Sequence, residues 1–164
     1  MTQMTPEQIE MMSAQVQSKM QQDSGNFICS RDTIDGVYPS LILAINARRL
    51  GMESSIFYTF MGINVVRKGG ARKVKFVPNG VMGAIPGMAS FATWMMKKKI
   101  DKAAIPTIEE LMEVAQLEGV KLVACRMTMD MMELEADDLI EGVEVQNAEE
   151  FMKHARNCKL NLFT

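Results

Sequence analysis

The chain has 164 residues, 48% of them hydrophobic and 23% charged, with 18 Lys and Arg against 20 Asp and Glu. That mix belongs to a globular protein rather than a disordered or fibrous one, and a net charge of -2 leaves no electrostatic footprint for a general nucleic-acid binder. At this size a single domain buries about 70% of the surface its unfolded chain exposes, so neither a disulfide nor a metal is needed to supply a core.

Three cysteines, Cys29, Cys125 and Cys158, form no C-x-x-C pair, and His154 is the single histidine. A zinc site or disulfide framework is therefore not expected. No cofactor is implied, and the phosphate-binding patterns G-x-G-x-x-G and G-x-x-x-x-G-K-[ST] are missing. The start, MTQMTPEQIE, carries two acids and no apolar run of the length a secretory signal needs, so a cytoplasmic protein with reduced thiols is expected. The 17 methionines read as flexible core filling.

Residues 1–24 read as an arm. After Pro6, the residues Ile9, Met12, Val16 and Met20 recur at helical spacing until Asp23-Ser24-Gly25 breaks the pattern. The domain proper is expected over residues 25–164. It opens with a brief strand, Asn26–Ser30, with Cys29 inside it, followed by a turn at Asp32, Asp35 and Gly36. A helix is predicted from Val37 to Leu50, with Pro39 near its first turn and Gly51 as its stop. Glu53 to Phe60, rich in aromatic and β-branched residues, reads as the second strand.

Residues 76–96 carry no charge and lie between the basic stretches VRKGGARKVK and KKK. Pro78, Gly80, Gly83, Pro86 and Gly87 crowd the first half, so a helix can begin only near Met88, too late to cross a hydrocarbon core of about 30 Å. A Gly/Pro loop followed by a buried helix is expected; the alternative is a membrane-surface or partner-docking segment over residues 81–96. Residues 67–102 hold nine basic residues and one acid, whereas residues 109–150 hold 13 acids. These are two solvated faces of opposite sign or a basic mouth for a small anion or acidic partner.

A helix is predicted over Ile108–Leu117, a strand over Val120–Cys125, a weaker strand over Val143–Val145, a helix over Ala148–Ala155 and a last strand at Asn161–Phe163. Apolar strands alternating with helices predict a three-layer α/β sandwich around a mainly parallel sheet of about five strands. Ligands in such sheets gather at the carboxyl ends of the strands. That rule selects Arg31 and Asp32, the loop Thr59–Asn64, and Cys125–Thr128.

Cys125 closes its strand and is followed by RMTMDMM, with apolar residues at helical spacing. A helix starting at Arg126 or Met127 places the thiol beside free backbone N–H groups, which favour a thiolate, and Arg126 adds positive charge. Such a thiolate can attack a sulfur donor and hold the transferred sulfur as a persulfide. A buried, inert strand cysteine is the competing reading. Cys29 and Cys158 read as small core residues and His154 as a surface residue.

The segments DTIDGVYPSLILAINARRLGMESSIFYTFMGIN (32–64), GAIPGMASFATWMMKKKI (83–100) and LEGVKLVACRMTMDMMEL (117–134) resemble, in order, blocks of the DsrE/DsrF-like sulfurtransferase and sulfur-carrier family, in its stand-alone, peroxiredoxin-like subgroup. The resemblance spans about residues 26–164, departing from the family in a short first strand preceded by an extra helix. It implies a parallel-sheet α/β sandwich, homo-oligomers (trimers or hexamers), and a cysteine passing persulfide or thiosulfonate between rhodanese-like and TusA-like partners. That cysteine falls on Cys125, with Arg126 and Met127 beside it and Tyr58, Met61 and Asn64 as walls of its pocket. Members associated with membranes through the segment matching residues 81–96 keep that alternative open. The expected function is sulfur trafficking on Cys125; the rival is an oligomeric interaction or membrane-associated protein with a structural cysteine.

Overall fold

A computed structural model describes residues 23–78, 80 and 85–164. Its elements are β1 (Ser24–Cys29), α1 (Ile34–Arg49), β2 (Glu53–Tyr58), α2 (Met88–Lys102), α3 (Ile108–Leu117), β3 (Lys121–Cys125), α4 (Arg126–Met131), β4 (Val143–Gln146), α5 (Ala148–Ala155) and β5 (Leu160–Phe163). The strands form one parallel sheet in the order β4-β3-β2-β1-β5, with helices on both faces, the three-layer sandwich expected. Residues 1–22 of the predicted arm helix lie outside the described residues.

Pairing corrects two details. β1 aligns with β2 from Ser24 opposite Glu53 to Cys29 opposite Tyr58, so it is six residues long, no shorter than β2. Cys29 is therefore the last residue of the strand and does not sit in its middle. α1 begins at Ile34 rather than Val37, which places Pro39 inside the helix. Two of the shorter helices start where side chains satisfy free backbone N–H groups: Thr107 with Glu110 caps α3, and Asn147 with Glu150 caps α5, each as a reciprocal capping box.

Chain order decides which face each helix covers. The connections β1 to β2, β2 to β3 and β3 to β4 all step the same way across the sheet, and right-handed crossovers carry their helices over one face. The return from β4 to β5 steps back across the whole sheet, so α5 crosses the other. On the first face Phe27, Ile56, Tyr58, Leu122 and Ala124 pack with Val37, Leu41 and Ala44 of α1 and Leu111, Met112 and Ala115 of α3. On the second, the buried residues Phe57, Val123 and Cys125 are joined by Ile28 and by Phe151 of α5, whose ring stacks on Phe57 at 4.1 Å between centroids.

α2 starts at Met88 behind Gly87, as the Gly/Pro run predicts, and buries only Ala92 and Thr93 along its length. Thr93 Oγ1 ties it to the loop before it, accepting from the Phe76 N–H at 2.9 Å. No helix among the described residues is long and apolar enough to cross a membrane.

Candidate functional site

The loops at the carboxyl ends of β1, β2 and β3 are drawn together by backbone and side-chain hydrogen bonds. After β2 the chain turns sharply at Phe60, which holds a left-handed φ of 46° although it is not glycine, a strained conformation. A 3₁₀ segment, Phe60–Val66, then folds over the end of β1. Gly62 makes this possible: its N–H donates to Ser30 O at 3.1 Å, and a Cβ there would lie 2.1 Å from Cys29 O.

Cys125 ends β3 with extended backbone (φ -74°, ψ 117°) and is the N-cap residue of α4. The helix is six residues long, under two turns, so the positive end beside the sulfur is that of a short dipole. Thr128 anchors it: its Oγ1 lies 3.2 Å from Thr59 Oγ1 and accepts from the Phe60 N–H at 3.2 Å. The loops after β2 and β3 are thus tied together. The Cys125 side chain is 3% exposed, enclosed with Phe57, Val123, Ile28 and Phe151 on the second face. Arg126 and Met127 follow it on the outside, Met127 being 64% exposed. Phe60, Met61 and Met131 are exposed as well, giving this end of the sheet an apolar rim.

The structure separates the residues named as walls. Tyr58 is fully buried on the first face, because alternate residues of a strand point to opposite sides and it shares a side with Ala124 rather than Cys125. Burial pushes its hydroxyl well above the ordinary tyrosine value, and the hydroxyl has no hydrogen-bond partner among the described residues. Asn64 is engaged elsewhere: its Nδ2 donates to Asp32 Oδ2 at 3.0 Å and its Oδ1 accepts from Arg67 at 3.4 Å. Both lie in a polar cleft of about 230 Å³ with Lys68, Gly70 and Lys73, to whose lining Cys125 does not contribute. Met61 alone of the three stands on the rim.

Cys29 is enclosed on the first face, its thiol donating to Arg31 O at 3.4 Å. Burial pushes that thiol up, against smaller opposing effects from Ser40 and the Arg31 backbone. No group of three or more His, Cys, Asp and Glu among the described residues is arranged to hold a metal ion.

With this geometry in view, comparison with known proteins is decisive about kinship. Residues 21–163 match the model of the DsrE/DsrF/DrsH-like family. The chain belongs to that family. It is 33% identical over 158 residues to the sulfur carrier protein DsrE2 of Allochromatium vinosum, covering 88% of this chain and 99% of that one. It is 32% identical over 142 residues to the uncharacterized protein YrkE of Bacillus subtilis, covering 79% and 89% respectively. In fold it is similar to the crystal structure of YchN from E. coli, with a TM-score of 0.56 at 15% identity over 86% of this chain and 99% of that one.

One cluster lies outside the residues the sequence selected. His154, read there as a surface residue, is half-buried at the end of α5, with Ser55 and Cys158 around its ring. The available signal was the four-residue spacing of His154 and Cys158, one helical turn. Ser55 comes from a strand 99 residues away, which no local pattern reveals.

Proposed function

We propose that this protein carries sulfane sulfur on Cys125, accepting it from a persulfidated donor and passing it to an acceptor thiol. The observation that carries this reading is Cys125 at the carboxyl end of β3 and at the N-cap of α4, in a chain one-third identical along nearly its whole length to a sulfur carrier. In the step itself the Cys125 thiolate attacks the outer sulfur of the donor persulfide. The donor S–S bond breaks, a new one forms on Cys125, and the donor departs as a thiolate. Arg126 and Met127, exposed beside Cys125 at the start of α4, are read as contacts for the donor.

Because Cys125 is 3% exposed, loading requires the Phe151 ring or the start of α4 to move aside. The exposed Phe60, Met61, Met127 and Met131 suit a docking partner that drives this opening, a rhodanese-like donor or a TusA-like acceptor, or a second copy in a trimer or hexamer. A cytoplasmic setting keeps the thiol reduced.

Intact-protein mass spectrometry after exposure to polysulfide, thiosulfate and tetrathionate tests the reading. The expected result is an added sulfur or thiosulfonate mapped to Cys125 and lost in Cys125→Ser; a parent chain that takes up no sulfur on Cys125 overturns it.

A second reading is favoured by α2, which exposes Phe91, Trp94 and Met95 next to Lys97, Lys98 and Lys99, with Lys98 Nζ 5.4 Å from the Trp94 ring centroid. Aromatic residues beside lysines suit the headgroup region of a membrane. Flotation with anionic vesicles that is lost in Trp94→Ser supports peripheral attachment through this helix; no flotation removes it. Residues 81–84 of the segment lie outside the described residues.

A further inference from the structure

We propose that Cys158 and His154 form a second reactive thiol site, in which a histidine N–H held in one orientation by a chain of hydrogen bonds readies Cys158 to accept sulfane sulfur. The choice of sulfur as cargo rests on the sulfur-carrier reading above; the reactivity of the thiol does not.

The amino end of the second sheet face is polar: Asn26 and Ser55 are buried there, on adjacent central strands, beside Asn161 of β5. Such groups are tolerated inside a sheet only when paired, and their pairing has one consistent direction. Asn161 Nδ2 donates to the carbonyls of Ala155 at 3.1 Å and Cys158 at 3.4 Å, which leaves its Oδ1 to accept from Asn26 Nδ2 at 3.1 Å. Asn26 Oδ1 then accepts the Ser55 hydroxyl at 3.0 Å. With its proton committed, Ser55 Oγ offers only lone pairs to His154 Nε2, 3.3 Å away, so the hydrogen sits on Nε2. The Cys158 sulfur lies 3.6 Å from that same nitrogen, whose one hydrogen it shares with Ser55 Oγ, and its thiol donates to His154 O at 3.6 Å.

A sulfur facing an N–H donor is stabilised as an anion, whether thiolate or persulfide. Cys158 is also the accessible thiol: it is half-buried, whereas Cys29 and Cys125 are buried. Beside the ring, with Cys158 outside its lining, opens a cleft of about 310 Å³ walled by Ser55, His154, Phe57, Val123 and Phe151. The last three of these also enclose Cys125, so the two thiols stand at opposite ends of the surface that α5 covers.

The Cys158 thiolate attacks the outer sulfur of a donor persulfide. The donor S–S bond breaks as the Cys158 S–S bond forms, the donor leaves as a thiolate and takes up the proton that Cys158 released, and no net oxidation or reduction occurs. His154 Nε2–H keeps its proton throughout and donates to the sulfur anion.

Full-length chain is incubated with glutathione persulfide, trapped with an alkylating agent and mapped by peptide mass spectrometry. In Cys125→Ser, one sulfur is expected on Cys158. Adding His154→Ala lowers the initial loading rate of Cys158 by about tenfold, the loss expected when a thiolate forfeits its charge-stabilising partner, whereas His154→Gln, which keeps an N–H donor, restores most of it with the circular dichroism of the parent. Absence of sulfur on Cys158, or a rate that neither histidine variant changes, overturns the proposal. Sulfur on Cys158 and none on Cys125 in the parent chain upholds this site and refutes the Cys125 reading; sulfur on Cys125 alone does the reverse.

Discussion

The two faces of the sheet are built from the same five strands and differ in almost every physical respect. The first face lies under α1 and α3 and is a continuous apolar core from Phe27 to Ala124. Among the described residues the second has a single eight-residue helix over it, an apolar half around Cys125, and a polar half of Asn26, Ser55 and His154. The first face supplies stability through buried area; the second carries Cys125, buried, and Cys158, half-buried. Local opening costs less on the second face, because fewer apolar contacts among the described residues are lost there.

The comparison breaks most visibly in the core. Leu41 of α1 is fully buried, and Leu41→Ala is expected to cost about 3 kcal/mol, read as a fall in the urea midpoint. Phe151→Ala on the second face is expected to cost less, about 2 kcal/mol, because the ring is half-buried. The same change uncovers Cys125, so its alkylation by iodoacetamide accelerates while that of Cys29 does not. Equal destabilisation by the two substitutions, or an unchanged Cys125, would show that α5 is not the cover.

Tyr58→Phe is a smaller change of opposite sign. It removes a buried hydroxyl that has no partner among the described residues and is expected to stabilise by about 1 kcal/mol near neutral pH. It also alters the alkaline limb. Tyr58 and Cys29 hold their protons more tightly folded than unfolded, so the unfolded chain deprotonates first as pH rises past their ordinary values of 9.0 for Cys and 10.0 for Tyr. Their contribution is whole below that range and is lost above it. Urea midpoints at about pH 8 and about pH 10.5 should therefore diverge in the parent chain and less so in Tyr58→Phe.

Much of this was legible in the chain itself. The bounds of α3 and α5 follow from Thr107, Asn147 and their apolar spacing, and the strand ending at Cys125 follows from its continuous apolar run. Cys125 could be selected because a strand end that leads into a helix is a local pattern. The walls could not be selected in this way. Tyr58 and Phe57 are equally apolar neighbours, and which of them meets Cys125 depends on pleat and register, set by Phe57 lying opposite Val123 and Tyr58 opposite Ala124. Asn64 was chosen for its place in a loop, but its amide is held by Asp32, 32 residues earlier and before α1 and β2.

The sequence by itself determined the alternation of strands and helices, the parallel sheet and the position of Cys125 at its carboxyl edge. Those features rest on periodicity, capping residues and turn residues, all read over a few neighbouring positions. Only the tertiary structure decided that β5 returns beside β1 and sends α5 over the second face. That return brings Asn26, Ser55, His154, Cys158 and Asn161 into one hydrogen-bonded group. The reason is physical: strand order is fixed by long-range pairing and crossover handedness, energies that no short window of sequence contains.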